Sequence, residues 1–263
     1  MSKFLDGRTA LVTGSTGGIG LEIARQLAEA GCGLMVHGID GPAAVEAAIA
    51  DLRNSGAGEV FFSDADLTEP LQAEGLITDT LARLGALDIL VNNAGIQHVA
   101  PLEAFSDENW QRIIEINLSA PFRLIRRALP VMRANGWGRI INIASVHGLV
   151  ASRHKSAYVA AKHGLVGLTK TVALETAAEP ITCNALCPGY VRTALMEAQI
   201  ASLAAAENIS PEQAAESILH EKQPSNRFVA PADIGSMVAF LCSAASSQIT
   251  GAALTIDGGW SAQ

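Results

Sequence analysis

The sequence has few charged residues, and those it has are mainly acidic. Only 17% of its 263 residues are charged, and 26 acidic side chains outnumber 18 basic ones, for a net charge of −8. It contains no run of Lys and Arg, which argues against a nucleic-acid-binding surface, because neutralising phosphates requires clustered basic side chains. No apolar run is long enough to span a bilayer, and the start, MSKFLDGRTALVTG, lacks the pattern of a signal peptide. We therefore expect a soluble cytoplasmic protein with neither nucleic acid nor membrane as a partner.

Cysteine and aromatic residues are also scarce. The four cysteines, Cys32, Cys183, Cys187 and Cys242, form no CxxC pair and no cluster with histidines, which argues against a zinc site. We expect buried, reduced thiols and no metal. Apolar residues, by contrast, make up 49% of the chain, enough to build a substantial core and to make global disorder improbable.

Short β-type runs alternate with longer helical stretches along the whole chain. The runs lie at 9–14, 33–38, 59–66, 87–95, 138–145, 181–189 and 252–257, and the helical stretches near 18–30, 42–54, 70–84, 106–134, 157–178 and 231–243. Strands that alternate with helices favour a parallel sheet, and near-continuous apolar runs such as IINIA suit strands covered on both faces. The prediction is a single-domain, Rossmann-type α/β fold: a doubly wound, seven-stranded parallel sheet with helices on both faces.

Residues 190–230 form a helical insertion between the sixth strand and the last helix. Within it, Ser210-Pro211-Glu212-Gln213 has the pattern of a helix start. Extra packing would explain such an insertion, but insertions at the carboxyl end of a strand are also where α/β enzymes build lids. We expect a substrate lid.

A glycine-rich loop, TGSTGGIG (13–20), follows the first strand and opens a helix. Glycines at 14, 18 and 20 allow a tight turn and close approach of the backbone to a pyrophosphate, which the amino end of the helix stabilises. Asp66-Leu67 follows the third strand, where a carboxylate can accept from an adenine amino group. Asn92-Asn93-Ala94-Gly95 follows the fourth, with small residues beside which a ribose and nicotinamide could pass. Each stretch could be an ordinary turn, but three at neighbouring strand ends predict a dinucleotide site.

The choice between NAD and NADP depends on the segment after the second strand. NAD binders often place an acidic residue there for the ribose hydroxyls. Here the segment reads His37-Gly38-Ile39-Asp40, and its acidic residue stands later than is usual. Since no Arg or Lys is present to meet a 2′-phosphate, the segment favours NAD.

Tyr158 and Lys162 lie one helical turn apart, so they share a face of their helix. A free phenol has a pKa of about 10, too high for a good base at neutral pH. A nearby ammonium lowers that pKa, so that Tyr158 can exchange a proton with an alcohol. Ser145, at the end of the fifth strand, can hydrogen-bond the same oxygen. The alternative is a surface Tyr-Lys pair without chemical function.

The motifs TGSTGGIG, NNAG, Asn117, Ser145, YVAAK (158–162) and PGYVRT (188–193) occur together in this order. With them the chain resembles the short-chain dehydrogenase/reductase family over nearly its whole length. The resemblance implies a catalytic set of Asn117, Ser145, Tyr158 and Lys162, with Lys162 also binding the nicotinamide ribose and Asn117 supporting a water-linked proton relay. It further implies a homotetramer built on the helices around 106–134 and 157–178. The cofactor-binding residues it implies are Gly14, Ser15, Thr16, Gly18, Ile19, Gly20, Asp66, Leu67, Asn93, Ala94, Gly95, Tyr158, Lys162, Pro188, Gly189, Val191 and Thr193.

Four stretches, NNAGIQH (92–98), 141–164, EKQPS (221–225) and DGGW (257–260), resemble family members that act on a short hydroxy acid. This resemblance implies NAD-dependent oxidation of (R)-3-hydroxybutyrate to acetoacetate. It places Gln97, Ser145, His147, Lys155, Tyr158 and Gln199 around the carboxylate and hydroxyl, and Trp260 on the apolar side. Tyr190 stands where we expect tryptophan, which keeps an aromatic wall but alters its shape.

Two of these residues also have explanations that involve no substrate: His147 could satisfy backbone groups, and Lys155 could be a solvated loop charge. Lys155 suits a small anion because its charge is compact, but Arg153 and His154 are close enough in sequence to compete for the carboxylate. A 3-oxoacyl thioester reductase that uses NADPH is a second possible function. A nucleotide-sensing protein without catalysis is a third, although such proteins commonly lose the Tyr or the Lys.

Overall fold

A computed structural model describes residues 3–263, in which seven strands form one parallel sheet. The strands are β1 (Thr9–Val12), β2 (Gly33–His37), β3 (Val60–Ser63), β4 (Ile89–Asn92), β5 (Gly138–Ile143), β6 (Ile181–Pro188) and β7 (Ala253–Ile256). Their order across the sheet is β3-β2-β1-β4-β5-β6-β7. The predicted doubly wound sheet is confirmed, and the order reverses direction between β1 and β4.

Helices connect the strands at nearly the predicted places. They are α1 (Gly18–Glu29), α2 (Pro42–Asn54), α3 (Pro70–Leu84), α4 (Asp107–Ile114), α5 (Ala120–Asn135), α6 (Ser156–Glu175), α7 (Ala194–Glu207), α8 (Pro211–Lys222) and α9 (Pro231–Leu241). The stretch predicted as one helical region at 106–134 is interrupted by a π-type turn, Glu115–Ser119. Most strands end a few residues before the predicted limits, because the small and polar residues that follow them form loops at the cavities.

The two faces of the sheet carry separate apolar clusters, since successive strand residues point to opposite faces. On one face Ala10 and Val12 of β1 pack with α1 and α9, and on the other Leu11 packs with α3 and α5. Helices therefore cover both faces, as the continuous apolar strands predicted. The four cysteines are buried free thiols.

The insertion after β6 consists of α7 and α8, which pack on each other around their own apolar cluster, including Met196, Ile200 and Ala214. The predicted start of α8 is confirmed by a capping box: the Ser210 hydroxyl accepts from the Gln213 amide, and the Gln213 side chain accepts from the Ser210 amide. No helix within residues 3–263 is long and apolar enough to cross a membrane.

A ladder of buried polar side chains connects the central strands to α6. The Asn92 amide donates to Asn142 Oδ1 at 2.7 Å, and the Asn142 amide donates to Thr169 Oγ1 at 2.8 Å. Because buried polar groups that lose their partners are costly, this ladder sets how β4, β5 and α6 lie relative to one another. All three elements carry residues to the cavities described below.

Gly20 and Gly75 offer a matched test of the close approach between α1 and the loop after β1. A Cβ at Gly20 would overlap the carbonyl oxygen of Gly14, whereas a Cβ at Gly75 in α3 would meet open space. We expect Gly20→Ala to lower the free energy of unfolding by about 2 kcal/mol or more through overpacking. Gly75→Ala should leave it unchanged or raise it by about 1 kcal/mol, since alanine favours helix.

Denaturant unfolding of the two variants and the wild type measures both changes. An equally stable Gly20→Ala protein would show that the loop and α1 do not need this approach.

Candidate active site

Two adjoining cavities open at the carboxyl ends of the strands, on either side of the point where the strand order reverses. The larger cavity has a volume of about 500 Å³ and the smaller one about 180 Å³. They share part of their walls, formed by Ile19, Asn93, Gly95, Ile96 and Thr193. In open α/β sheets this crevice is where ligands bind.

The amino end of α1 and the glycine loop form one wall of the larger cavity. Gly14 and Gly18 have φ values of +62° and +56°, a conformation that glycine adopts without strain. Gly17 caps α1 without a side-chain hydrogen bond, and the first turn of the helix contains no acidic residue. The first amide groups of α1 therefore lie at the cavity, at the positive end of the helix dipole. Free amides and a positive dipole end both suit a pyrophosphate.

Most of the residues predicted to bind a dinucleotide line the larger cavity. These are Gly14, Thr16, Gly18, Ile19, Gly20, Asp66, Leu67, Asn93, Ala94, Gly95 and Thr193. Ser15 does not line either cavity. Its hydroxyl donates to the Val12 carbonyl at 2.7 Å and accepts from the His37 amide at 3.1 Å, so it supports the loop from below.

Asp40 reaches the larger cavity despite its late position in the sequence. The segment His37-Gly38-Ile39-Asp40 lines that cavity, and the Thr16 hydroxyl donates to the Asp40 carboxylate. A Cβ at Gly38 would overlap this hydroxyl, so glycine at 38 allows the segment to approach the loop. None of the described residues that line the larger cavity is Arg or Lys.

Ser145, Tyr158 and Lys162 meet in the smaller cavity. Ser145 follows β5, while Tyr158 and Lys162 lie on one face of α6. Lys162 Nζ donates to the carbonyl of Ile143 at 2.8 Å and lies 5.5 Å from the centre of the Tyr158 ring. The cation is thus held beside the phenol by the end of a strand. Pro188, Gly189 and Val191 also line this cavity.

Burial dominates the pKa values of this pair. It raises the pKa of Tyr158, and the Ser145 hydroxyl lowers it by a smaller amount. The expectation that the neighbouring ammonium would leave Tyr158 with a lowered pKa is therefore wrong for the protein alone. Burial also lowers the pKa of Lys162 to about 8, because removing water disfavours both charged forms.

All residues predicted to contact a hydroxy acid line the smaller cavity: Gln97, Ser145, His147, Lys155, Tyr158, Tyr190, Gln199 and Trp260. Gln97 comes from the loop after β4, and Gln199 comes from α7 of the insertion. Arg153 is exposed and does not line the cavity, whereas Lys155 does. Burial lowers the pKa of Lys155, which is the behaviour of a cation held out of bulk water rather than of a solvated loop charge.

His147 is buried and carries a polar atom without a partner. Its Nδ1 lies 3.4 Å from the Ser145 hydroxyl, and its Nε2 has no hydrogen-bond partner among the described residues. Burial, followed by the positive charge of Lys155, lowers its pKa to about 4. The ring is therefore neutral at neutral pH. An unpaired buried polar atom on a cavity wall is a natural contact for a polar ligand atom.

An aromatic wall closes the other side of the smaller cavity. The rings of Tyr190 and Trp260 lie 4.7 Å apart, and Trp260 meets His147 edge-on at 5.3 Å. Gln223, fully buried, accepts from the Tyr190 amide at 2.8 Å and donates to the Arg227 carbonyl. It therefore joins the two ends of the insertion beneath this wall. Sequence reasoning did not identify Gln223 or Met196 as site residues, because neither residue type signals this placement.

Asn117 lies in the π-type turn and is fully buried, outside the walls of both cavities. Its amide donates to the Ile96 carbonyl at 2.8 Å, and its Oδ1 accepts from the Ile96 amide at 3.2 Å. The side chain thus holds the backbone of Ile96, which lines both cavities.

Comparison with known proteins identifies close relatives over the full chain. A family model described as enoyl-(acyl carrier protein) reductase matches residues 14–261. The D-beta-hydroxybutyrate dehydrogenase of Cupriavidus necator is 51% identical, over 98% of this chain and 100% of the relative. The enzyme of the same name from Rhizobium meliloti is 47% identical, over 97% and 99%. A crystal structure of a single-substitution variant of actinorhodin polyketide ketoreductase with NADPH superposes with a TM-score of 0.92, at 35% identity and full coverage of both chains.

The lowered pKa of His147 predicts a pH-dependent contribution to stability. Between the ordinary value of 6.5 and about 4 the unfolded chain binds a proton at this residue that the folded chain does not. The contribution of His147 to the free energy of unfolding is therefore fully present above pH 6.5 and is lost as the pH drops towards 4. Each pKa unit corresponds to 1.36 kcal/mol, so the loss is about 3 kcal/mol. His147→Gln should lack this part of the decline.

Urea unfolding of both proteins at intervals from pH 7 to pH 4 measures the difference. Parallel curves for wild type and His147→Gln would contradict the expected neutral, buried imidazole.

Proposed function

Because this chain belongs to the short-chain dehydrogenase/reductase family and is an oxidoreductase, we propose that it oxidises (R)-3-hydroxybutyrate to acetoacetate with NAD, reversibly. The observation that supports this substrate is the composition of the smaller cavity, where the Tyr158–Lys162 pair lies with the half-buried cation of Lys155 and an unpaired imidazole nitrogen of His147. The two D-beta-hydroxybutyrate dehydrogenases, at 47% and 51% identity, support the same substrate.

The proton of the substrate hydroxyl passes to Tyr158 Oη in the oxidation direction and returns from it in reduction. NAD, when bound, accepts the hydride. Ser145 orients the reacting oxygen, and Lys162 stabilises the phenolate from a position fixed by the Ile143 carbonyl. Because burial makes an isolated phenolate costly, Tyr158 depends on this ammonium to act as a base near neutral pH.

The anionic end of the substrate binds Lys155 and His147. Lys155 supplies the positive charge, and His147 Nε2 donates a hydrogen bond if the Ser145 hydroxyl is bonded to Nδ1. Gln97 and Gln199 add donors, and because Gln199 lies on α7 its contact links substrate binding to the position of the insertion, the proposed lid. When the carboxylate and the hydroxyl are both held, the R and S enantiomers direct the C–H bond of the reacting carbon to opposite sides of the smaller cavity.

The residues that line the site argue against the other two functions. Lys155 in the smaller cavity suits a free carboxylate, which a 3-oxoacyl thioester does not have. The larger cavity has no Arg or Lys among its described lining residues to meet the additional phosphate of NADPH. Loss of catalysis is disfavoured because Tyr158, Lys162 and Ser145 all reach one cavity.

Asp40, whose carboxylate lines the larger cavity after β2, supports NAD as the proposed cofactor. Asp40, bonded to Thr16, can accept from a ribose hydroxyl and repel a 2′-phosphate. The glycine loop suits a pyrophosphate, because Gly14 and Gly18 make its turn at positive φ and the amino end of α1 lines the larger cavity. The residues proposed to hold NAD are those of the sequence prediction, with Asp40 added and with Ser15 acting from beneath the loop.

We propose further that residues 1–263 act as one catalytic domain in the cytoplasm and assemble as a homotetramer. The helices expected at the subunit contacts carry large apolar side chains exposed in the single chain, with Phe122 of α5 at 46% and Leu174 of α6 at 80% exposure. Burying such side chains against a second copy is favourable.

Turnover of single enantiomers tests the substrate. The purified protein with NAD should produce NADH absorbance with (R)-3-hydroxybutyrate and none with the S form.

Lys155→Ala should raise KM for the R form about 10- to 100-fold, the cost of losing a charged hydrogen bond, with KM for NAD unchanged. Arg153→Ala, a matched loss of an exposed cation, should change KM by about twofold or less.

Tyr158→Phe is the control for chemistry, since it should bind NAD but not turn over. Activity on a 3-oxoacyl thioester with NADPH and none on the R form would overturn the substrate.

Substitution at Asp40 tests the cofactor. Asp40→Asn removes the charge and keeps the shape, so the ratio of kcat/KM for NAD to that for NADP should fall about tenfold or more. Asp6→Asn is the matched control, because Asp6 is an exposed carboxylate that does not line the larger cavity. An unchanged ratio in Asp40→Asn would mean that Asp40 does not discriminate between the cofactors.

A further inference from the structure

His37 is a buried titratable residue with no role in the proposed reaction. It ends β2, is only 3% exposed, and lines the larger cavity beneath the glycine loop. The imidazole makes hydrogen bonds to two parts of the proposed dinucleotide site, the glycine loop and the end of β3.

The ring of His37 joins the glycine loop to the end of β3. Its Nδ1 accepts from the Gly14 amide at 3.2 Å, and its Nε2 lies 2.8 Å from the Ala65 carbonyl. A carbonyl can only accept and an amide N–H can only donate, so both bonds are made only by the neutral tautomer with its proton on Nε2. The surroundings of the ring thus specify one protonation state.

The backbone of His37 adds two bonds to the same loop. Its carbonyl accepts from the Ser15 amide at 2.8 Å, and its amide donates to the Ser15 hydroxyl at 3.1 Å. Residue 37 therefore positions Gly14 and Ser15 on the pyrophosphate side and Ala65 on the adenine side, next to Asp66 and Leu67 of the cavity wall.

We propose that His37 is a positioning residue for the dinucleotide, and that its protonation displaces the Gly14 amide of the glycine loop and weakens NAD binding. This inference rests on the proposed binding of NAD. A protonated ring carries donors on both nitrogens, so the Nδ1 proton would face the Gly14 amide proton and that bond would be lost. Glycine at 14 can change its backbone angles without strain, so loss of this contact allows the Gly14 amide to turn away, while the bonds to Asn93 and Ser15 keep the flanks of the loop in place.

The charges around the ring set the direction of its titration. Asp64 and Asp66 act on it from the end of β3, Asp40 lines the same cavity from the end of β2, and Arg112 of α4 acts on Asp66. The first turn of α1 contributes no charge. Burial lowers the pKa of His37 below 6.5, and it outweighs both the hydrogen bond with the Ala65 carbonyl and the two nearby carboxylates, which raise that pKa. The ring is therefore neutral above pH 6.5, and the effect on affinity lies below that pH.

Protonation of His37 has two consequences that change the affinity for NAD in opposite directions, so the direction of the measured change distinguishes them. A positive ring would attract a pyrophosphate, whereas a displaced loop would lose its amide contacts. We expect the loss of geometry to dominate, because the Gly14 amide would otherwise stay unpaired beside an N–H group in a buried place.

The experiment measures the dissociation constant of NAD from pH 8 to pH 5 for wild type and His37→Asn. Asparagine keeps one acceptor and donors but does not titrate in this range. For wild type, Kd should rise by about tenfold per pH unit below the pKa of the ring, as expected when only the neutral form binds. For His37→Asn, Kd should change by about threefold or less, and its unfolding midpoint at each pH confirms a folded protein.

Equal slopes for the two proteins, or a wild-type affinity that increases as the pH falls, would overturn the inference. Nitrogen NMR of the His37 ring at pH 8 reports its tautomer directly, and a proton on Nδ1 would contradict the proposed geometry even if His37→Asn failed to fold. Absence of NAD binding by wild type at pH 8, with an Nε2–H ring, would instead refute the proposed cofactor.

Discussion

The junction between Thr13-Gly14 and Asn93-Ala94 is the constraint on which both cavities depend. The Thr13 hydroxyl accepts from the amides of Asn93 and Ala94 at 2.9 and 3.0 Å, and the Asn93 side chain donates to the carbonyls of Thr13 and Gly14, both at 2.9 Å. These bonds join the loops after β1 and β4, where the strand order reverses. A crevice opens there because the connections leave in opposite directions. The junction keeps its floor rigid.

Burial is the second organising influence, and it acts on the catalytic and anion-binding groups alike. It raises the pKa of Tyr158 and lowers those of Lys162, His147 and Lys155. Each group would be more stable neutral in isolation, so each charge gains from an opposite one. In the proposed reaction, the substrate carboxylate would be the partner of Lys155 and the phenolate of Tyr158 the partner of Lys162. The proposed binding of an anion and the proposed proton transfer thus depend on the same exclusion of water.

Three residues show where inference from sequence stopped. Asp40 stood too late by spacing, yet Gly38 lets its segment approach Thr16 closely. Gln223 lies in a stretch that resembled the family, but its role in joining the ends of the insertion depends on full burial. In the sequence, His37 shows only that the usual acidic residue is absent from this place. In each case the deciding fact is a contact between segments distant in the chain, which local pattern does not contain.

The sequence by itself determined the parallel sheet, the order of its elements, the glycine loop and the Tyr158–Lys162 pair. Periodicity, glycine spacing and one-turn separation are local properties, and each constrains the backbone within a few residues. Only the tertiary structure decided that Lys155 rather than Arg153 lines the cavity, that Tyr158 has a raised pKa, and which hydrogen bonds His37 makes. Those outcomes depend on burial and on which segments meet, and both are set when the whole chain packs.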